Sequence, residues 1–308
     1  MTLIRLATRQ SPLALWQATH IKDRLEHIDP ELRIELVPLL TQGDKDQSRS
    51  LIEIGGKSLF VKELQTALLE NHADIAVHSV KDMSVFPHSK LCLAAITERA
   101  DPRDVFISEH YASLDTLPKG AKIGTSSPRR TSQLRFLRED LEILPCRGNL
   151  GTRLQKLKTQ NFDAILLAAA GLERMGLTDH ITQYLNVDEF IPAIGQGALG
   201  IECRANDFKM IETIKLLNDL NTELCVTAER AVNKRLGGSC YLPIGAYADI
   251  QGHQLHLRAM MGSPNGKLLF KTIISGNLTE AENIGLMAAE NLLTQGAQII
   301  LDQYNQSS

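Results

Sequence analysis

Apolar positions change period along the chain in a regular order. "LIRLATR" (3–9) reads as a strand, "PLALWQATHIKDRLEHI" (12–28) repeats apolar residues at helical spacing, and "IELVPLL" (34–40) reads as a strand again. The same alternation continues with a helix over "SLFVKELQTALLENH" (58–72) and strands at "DIAVHSV" (74–80), "KLCLAAI" (90–96) and "AKIGTS" (121–126). A helix, a strand at "LEILP" (141–145), another helix and strands at "DAILLAAA" (163–170) and "ALGIECR" (198–204) follow. Strands that alternate with helices predict α/β architecture with mainly parallel sheets.

Two strand-to-helix junctions are alike. "LATRQSPLALWQ" and "IGTSSPRRTSQL" each pass from a strand through Thr to Ser-Pro and into a helix. Ser11 and Ser127 suit the N-cap, and Pro12 and Pro128 suit the first helical position, where a missing N–H costs nothing. The pair points either to two similar lobes or to a common helix start used twice. "TERADPRDVF" near residue 100 and "EFIPAIGQGALG" near 195 carry the turn chemistry of a chain crossing between lobes. After residue 218, "NTELCVTAERAVNKRL" predicts a helix stopped by Gly237, and strands "QLHLRAMM" and "LLFKTII" with a last helix predict a third domain.

Length and composition narrow the class. The 308 residues suffice for two or three domains, and "MTLIRLATRQ" lacks the apolar run of a signal peptide or membrane span, so a cytoplasmic protein is expected. Five cysteines without a CxxC pair match neither a disulfide framework nor a zinc site. Cys92, Cys203 and Cys225 fall in apolar patterns and read as inert core thiols, whereas Cys146 and Cys240 fall in turns. "HQLH" (253–256) is no metal pair, because strand spacing points its two rings to opposite faces.

Charge adds a local asymmetry. Between Lys119 and Lys158 there are ten Lys or Arg against three acids, although the chain carries a net charge of −3. A solvated basic face would account for the count alone. Arg129 and Arg130, however, fall in the first turn of a helix, where the macrodipole disfavours cations, and an anionic ligand would resolve the conflict. Arg147 and Arg153 in "RGNLGTRL" and Arg9 before the first Ser-Pro helix repeat the pattern. The expected ligand is multiply anionic and held between two lobes; with aromatic residues at 5% and the arginines in separate turns, nucleic acid fits less well.

"ADIAVHSVKDMS" (73–84) ends a strand with His78, Lys81 and Asp82, an acid beside a cation at the edge where open α/β sheets bind ligands. Asp82 is the candidate catalytic group; a surface Lys-Asp pair capping a strand is the plainer alternative, and His78 reads as a satisfied, half-buried histidine. "TQGDKDQ" and "IGGKSLF" bracket a polar stretch from which Asp44 and Lys57 are expected to reach a ligand.

Eight segments, "ATRQSPLALWQA", "GGKSLFVKELQ", "HSVKDM", "GTSSPRR", "RGNLGTRL", "AAAGLER", "PAIGQGALGIECR" and "GGSCYLPIGAYA", occur in the order found in the porphobilinogen deaminase family, which the chain resembles over nearly its whole length. The resemblance implies two lobes similar to periplasmic binding proteins, residues 1–97 with 198–216 (carrying Asp82) and residues 103–192 (the arginine-rich anion site). A smaller C-terminal α/β domain, 220–308, would carry the cofactor cysteine. It implies a transferase that condenses four porphobilinogens head to tail, with loss of ammonia, into the linear tetrapyrrole hydroxymethylbilane. Its dipyrromethane cofactor would be held through a thioether at Cys240, with no metal.

By position, the family's catalytic aspartate falls on Asp82. Its cofactor-binding set falls on Lys81, Asp44, Ser127, Arg129, Arg130, Arg147 and Gln196, and its substrate-binding set on Arg9, Ser11, Lys57, Phe60, Arg147, Arg153 and Arg174. Porphobilinogen is the implied partner, with no nucleic acid or membrane, and the expected state is a monomer. Two departures stand out: Ser84 replaces the usual Pro two places after the aspartate, and Ser239 replaces the usual second glycine before the cysteine. A bilobal anion sensor without catalysis would explain the arginines but leaves Cys240 unexplained. A cysteine-nucleophile enzyme would need a histidine base, and none lies between His180 and His253 in sequence.

Overall fold

The computed structural model describes residues 2–41, 61–238 and 241–306. The chain divides into two compact units, Met1–Ala100 with Gly197–Glu223, and Asp101–Gln196 with Leu224–Ser308. In chain order, the first stretch supplies β1 (Thr2–Arg9), α1 (Pro12–Ile28), β2 (Leu32–Leu39), α2 (Lys62–Leu69), β3 (Ile75–Ser79) and β4 (Leu91–Ile96). Next come β5 (Asp104–Ile107), β6 (Lys122–Gly124), α3 (Pro128–Leu137), β7 (Glu142–Leu144), α4 (Leu150–Thr159), β8 (Ala164–Ala168), α5 (Ala169–Arg174) and β9 (Gln183–Tyr184). The chain continues through β10 (Leu199–Arg204), α6 (Phe208–Lys215) and α7 (Leu220–Arg235). It ends with β11 (Ile244–Gln251), β12 (Gln254–Gly262), β13 (Leu269–Asn277), α8 (Ala281–Leu292) and α9 (Gln298–Gln306).

The first unit's sheet has the order β2-β1-β3-β10-β4, parallel across β2, β1 and β3, with β10 antiparallel to both neighbours. Four of the five residues of β3 are buried in an unbroken run, the pattern of a strand covered on both faces. Ile21 and Leu25 of α1 pack with Ile4, Leu6, Ile75 and Ile201 in its core. The second unit holds two sheets. One has the order β7-β6-β8-β5-β9, parallel across β7, β6 and β8 with β5 antiparallel, and packs Phe106, Ile123, Leu134 and Leu166 together. The other is the antiparallel meander β11-β12-β13, whose Leu255, Leu257, Ala259 and Met261 alternate inward on β12 against Ile284, Ala288 and Leu292 of α8.

Local pattern and structure differ in five places. β5 is a four-residue strand inside a segment dominated by turn signals. β9 and β11 carried no distinct strand reading either. "DAILLAAA" stops being a strand at Ala168 because Ala169 opens α5, where a run of Ala favours helix. β10 runs antiparallel, a direction that hydrophobic periodicity does not encode.

Candidate functional site

In the first unit, the register Leu6↔Ile75 and Ala7↔Ala76 puts the C-terminal ends of β1 and β3 on one edge of the sheet. Ser11 caps α1 as its sequence implies, its Oγ accepting from the Ala14 N–H at 3.4 Å with Pro12 behind it. Thr8 Oγ1 donates to the Ala14 carbonyl at 3.0 Å, which fixes the turn that carries half-buried Arg9. After β3 the chain makes a single 3₁₀ turn, Val80–Asp82, closed by Met83 N–H on the Val80 carbonyl at 3.0 Å. Val80 N–H also donates to the Ala198 carbonyl at 3.1 Å, and Gln17 Nε2 reaches Ser79 Oγ at 3.1 Å. Held in this way, the turn leaves Lys81 half-buried and Asp82 exposed.

His78 has no free role. It is 5% exposed and its Nε2 lies 3.1 Å from Glu202 Oε2, while Gln65 Nε2 donates to Glu202 Oε1 at 2.9 Å. It is a core histidine, more deeply buried than its alternation suggested. Ser84 Oγ accepts from Phe86 N–H at 3.1 Å, so this departure from the family pattern supplies a local turn bond.

In the second unit, the parallel strands β7, β6 and β8 send their C-terminal ends to one edge. Ser127 and α3 follow β6, Arg147 and α4 follow β7, and Arg174 ends the helix that follows β8. β5 pairs antiparallel with β8, with Asp104 opposite Ala168, so Asp104 joins the same edge from the other direction. Arg129 and Arg130 are only 4% and 6% exposed. Arg129 Nη1 donates to Asp104 Oδ2 and to the Ile191 carbonyl, each at 2.7 Å. Arg130 donates to Asp104 Oδ1 through Nε at 3.0 Å and Nη2 at 2.7 Å, and to the Leu166 carbonyl at 2.8 Å. Gln196 Nε2 adds bonds to Asp104 Oδ1 at 3.1 Å and to the Pro102 carbonyl at 2.7 Å.

The conflict between two cations and a helix N-terminus is therefore met inside the protein, by a carboxylate that sequence reading passed over in "ADPRDVF". Burial alone would push the Asp104 carboxyl up, but Arg129 and Arg130 hold it well below the ordinary carboxylate range. Burial also lowers Arg129, against the opposing pull of Asp104. Two guanidiniums and one carboxylate leave this cluster with a net positive charge. Asp104 combines acidity with a position next to turn residues, a signal that does not separate a surface cap from a buried counter-ion.

Around "RGNLG", Asn149 Oδ1 caps α4 by accepting from Thr152 N–H at 2.9 Å, and Arg153 Nε donates to the Gly148 carbonyl at 2.8 Å. Gly148 has φ +119°, and a Cβ there would lie 2.7 Å from Thr152 Cγ2, so the turn admits only glycine. This turn holds Arg147 and Arg153 on one short stretch, both half-buried. Burial draws the Arg174 guanidinium down to about 10, with Glu173 opposing, so it is still charged at neutral pH. Cys146, though in a turn, is 1% exposed, and burial pushes its thiol up against the pull of Arg153 and Lys156.

The C-terminal sheet meets the arginine cluster directly. A Cβ on Gly245, in β11, would lie 2.9 Å from the Pro192 carbonyl oxygen and 3.1 Å from Arg129 Cδ, so only glycine lets the strand approach this closely. Glu229 of α7, fully buried and also missed by sequence reading, accepts from Gly195 N–H at 2.6 Å and from Ala248 N–H at 2.9 Å. It joins α7, β11 and the segment before Gln196. Asp44, Lys57, Phe60 and Cys240, and with them Ser239, lie outside the described residues. Among the described residues no group of three or more His, Cys, Asp or Glu could hold a metal ion, and no helix is long and apolar enough to cross a membrane.

Fold and site together define an α/β protein with two parallel-rich sheets, an antiparallel C-terminal sheet and basic side chains gathered at strand ends. Residues 4–212 match the family model described as porphobilinogen deaminase, dipyromethane cofactor binding domain, and residues 223–294 match porphobilinogen deaminase, C-terminal domain. The chain belongs to the porphobilinogen deaminase family, a family of tetrapyrrole-synthesis transferases. Among solved structures it is similar to the methionine-binding protein MetQ, with 12% identity over 70% of this chain and 89% of that chain and a TM-score of 0.47. It is also similar to a YaeC-family lipoprotein from Enterococcus faecalis V583, with 14% identity over 70% and 91% of the two chains and a TM-score of 0.43. For the periplasmic VFT2 domain of Bordetella pertussis BvgS the figures are 12%, 69%, 85% and 0.42.

Proposed function

We propose that this protein condenses four porphobilinogen molecules head to tail, losing ammonia at each step, and releases the linear tetrapyrrole hydroxymethylbilane. In this reading a dipyrromethane is held through a thioether at Cys240. When bound, it supplies the fixed pyrrole end from which the chain is extended. The donor set suits such a group, since pyrrole acetates and propionates are carboxylates and the second unit gathers guanidiniums on one edge. The observation that carries the reading is the approach of β11 to Arg129 at Gly245. Cys240 is five residues upstream of Gly245, and five extended residues span at most about 18 Å, a separation in sequence that is compatible with this reading.

The proposed roles follow from charge. Arg129, Arg130 and Arg147, with Ser127, Gln196, Lys81 and Asp44, hold the cofactor. Arg9, Ser11, Lys57, Phe60, Arg147, Arg153 and Arg174 receive porphobilinogen. Each charge-assisted hydrogen bond contributes about 1.5–3 kcal/mol, and its main effect is to fix each ring in register. Departure of ammonia leaves positive charge spread onto the substrate's pyrrole nitrogen. The exposed Asp82 carboxylate, on a turn held by Gln17 and Ala198, opposes that charge. Arg9, Ser11 and Asp82 would act from a first lobe of residues 1–97 and 198–216, the arginines from a second of residues 103–192, and Cys240 from a domain of residues 220–308. The protein is proposed to work as a cytoplasmic monomer.

Intact mass of the freshly purified protein, beside Cys240→Ser, tests the proposal together with porphobilinogen consumption. The expected result is a surplus equal to two linked pyrroles, absent from the variant, and turnover by the unmodified sequence. No surplus together with no consumption overturns it.

A further inference from the structure

A pair of thiols on neighbouring strands takes no part in the chemistry above. Cys92 on β4 and Cys203 on β10 face each other in the antiparallel register, with their sulfurs 3.7 Å apart. Directly opposed residues carry Cβ atoms about 4.5–5.5 Å apart, and a cystine spans about 3.5–4.5 Å. Joining the sulfurs therefore needs side-chain rotation and a small approach of the strands. The register shift between Ile201 and Glu202, next to the pair, is the kind of irregularity that lets a strand bend locally.

The two thiols differ in access. Cys203 is fully buried, whereas Cys92 is partly open to solvent. Burial first, then Cys92 itself, pushes the Cys203 thiol above the ordinary range, and the two sulfurs lie within hydrogen-bond distance of each other.

We propose that Cys92 and Cys203 form a reversible oxidation site, converted by a hydroperoxide-class oxidant into a cystine that bridges β4 and β10. The Cys92 thiolate attacks the peroxide O–O bond, hydroxide leaves, and Cys92 becomes a sulfenic acid. The Cys203 sulfur then attacks the Cys92 sulfur while its proton passes to the departing hydroxide, so the S–S bond forms, the S–O bond breaks and water leaves in one step. Two thiols lose two electrons and two protons, and the peroxide is reduced to two waters. A small-molecule thiol restores the pair by exchange. The cystine closes a loop between residues 111 apart in sequence, which contains the Asp101–Gln196 part of the second unit. Such a loop restricts the unfolded chain, so the oxidised protein resists unfolding better than the reduced one.

The test treats fully reduced, full-length protein with equimolar hydrogen peroxide, blocks remaining thiols by alkylation, and maps peptides without reduction. The expected product links the peptide containing Cys92 to the one containing Cys203, is lighter by two hydrogens, and reverts with dithiothreitol. Its thermal midpoint rises by several degrees over the reduced form. Cys203→Ala should trap Cys92 as a sulfenic acid that a dimedone probe labels, with no linked peptide. The proposal is overturned if Cys92 proceeds to sulfinic acid without a link in the unsubstituted protein, if Cys92 links to a different cysteine, or if both thiols survive while others react. None of these outcomes depends on porphobilinogen turnover.

Discussion

Replacing Asp104 by Asn keeps the shape of the side chain and one carbonyl oxygen, but removes the charge that two buried guanidiniums share. The Asp104 carboxylate accepts four hydrogen bonds, from Arg129 Nη1, Arg130 Nε and Nη2, and Gln196 Nε2. Removing one partner of a buried ion pair costs about 3–5 kcal/mol, because the remaining charge is left uncompensated. Asn still accepts at one oxygen, which puts the expected loss near the lower end, about 3 kcal/mol. With a urea slope of about 1–3 kcal/mol/M, the unfolding midpoint falls by about 1–3 M. Urea titration followed by far-UV circular dichroism measures it.

The same titration separates the two units, because the single tryptophan, Trp16, lies in α1 of the first unit and reports by fluorescence on that unit. The circular-dichroism transition of the second unit should move down while the Trp16 transition moves less. Adding Arg130→Gln to Asp104→Asn removes one of the stranded cations, so the double variant should be more stable than the two single losses added together, by about 1 kcal/mol or more. A midpoint shift below about 0.5 M for Asp104→Asn, or strict additivity of the pair, would refute the account of Asp104 as the cluster's counter-ion.

Asp82→Asn should retain the thermal stability of the unsubstituted protein, since the side chain is exposed, and lower porphobilinogen turnover by at least a hundredfold, or about 2.7 kcal/mol in the transition state; near-normal kcat would remove Asp82 from the chemistry. Gly148→Ala combines positive φ with a close contact to Thr152, so it should cost about 1–3 kcal/mol and weaken porphobilinogen binding through misplaced Arg147 and Arg153, seen as a rise in KM. On acidification, Asp104 and Asp74 both have folded carboxyls held below their unfolded values, Asp74 by Arg5 and Arg204 against the opposing effect of burial. Their contribution to stability is fully present above the unfolded carboxyl value of about 3.9 and is lost as pH falls further. Circular dichroism across an acid titration should therefore show stability retained down to about pH 4 and declining below it.

Much of the architecture was legible locally because its causes are local. The helix over Pro12–Ile28 follows from apolar spacing, a Ser N-cap and Pro at N1, and the end of α7 from Gly237, whose φ is +104°. The alternation of elements and the turn around Gly148 likewise depend on neighbours a few residues away, whereas the turn that carries Lys81 and Asp82 closes locally but is also held by Gln17 and Ala198 from distant segments. The partners that decide the electrostatics do not. Asp104 meets Arg129 and Arg130 across 25 and 26 residues, and His78 meets Glu202 across 124. Cys92 reads as one inert thiol among several until strand order sets Cys203 opposite it. Sequence by itself determined which residue types stand at strand ends and helix starts, because periodicity, capping and turn chemistry act over one or two turns of chain. Only the tertiary structure decided which charges neutralise one another and which thiols touch, because burial and strand direction come from chain segments far apart in sequence.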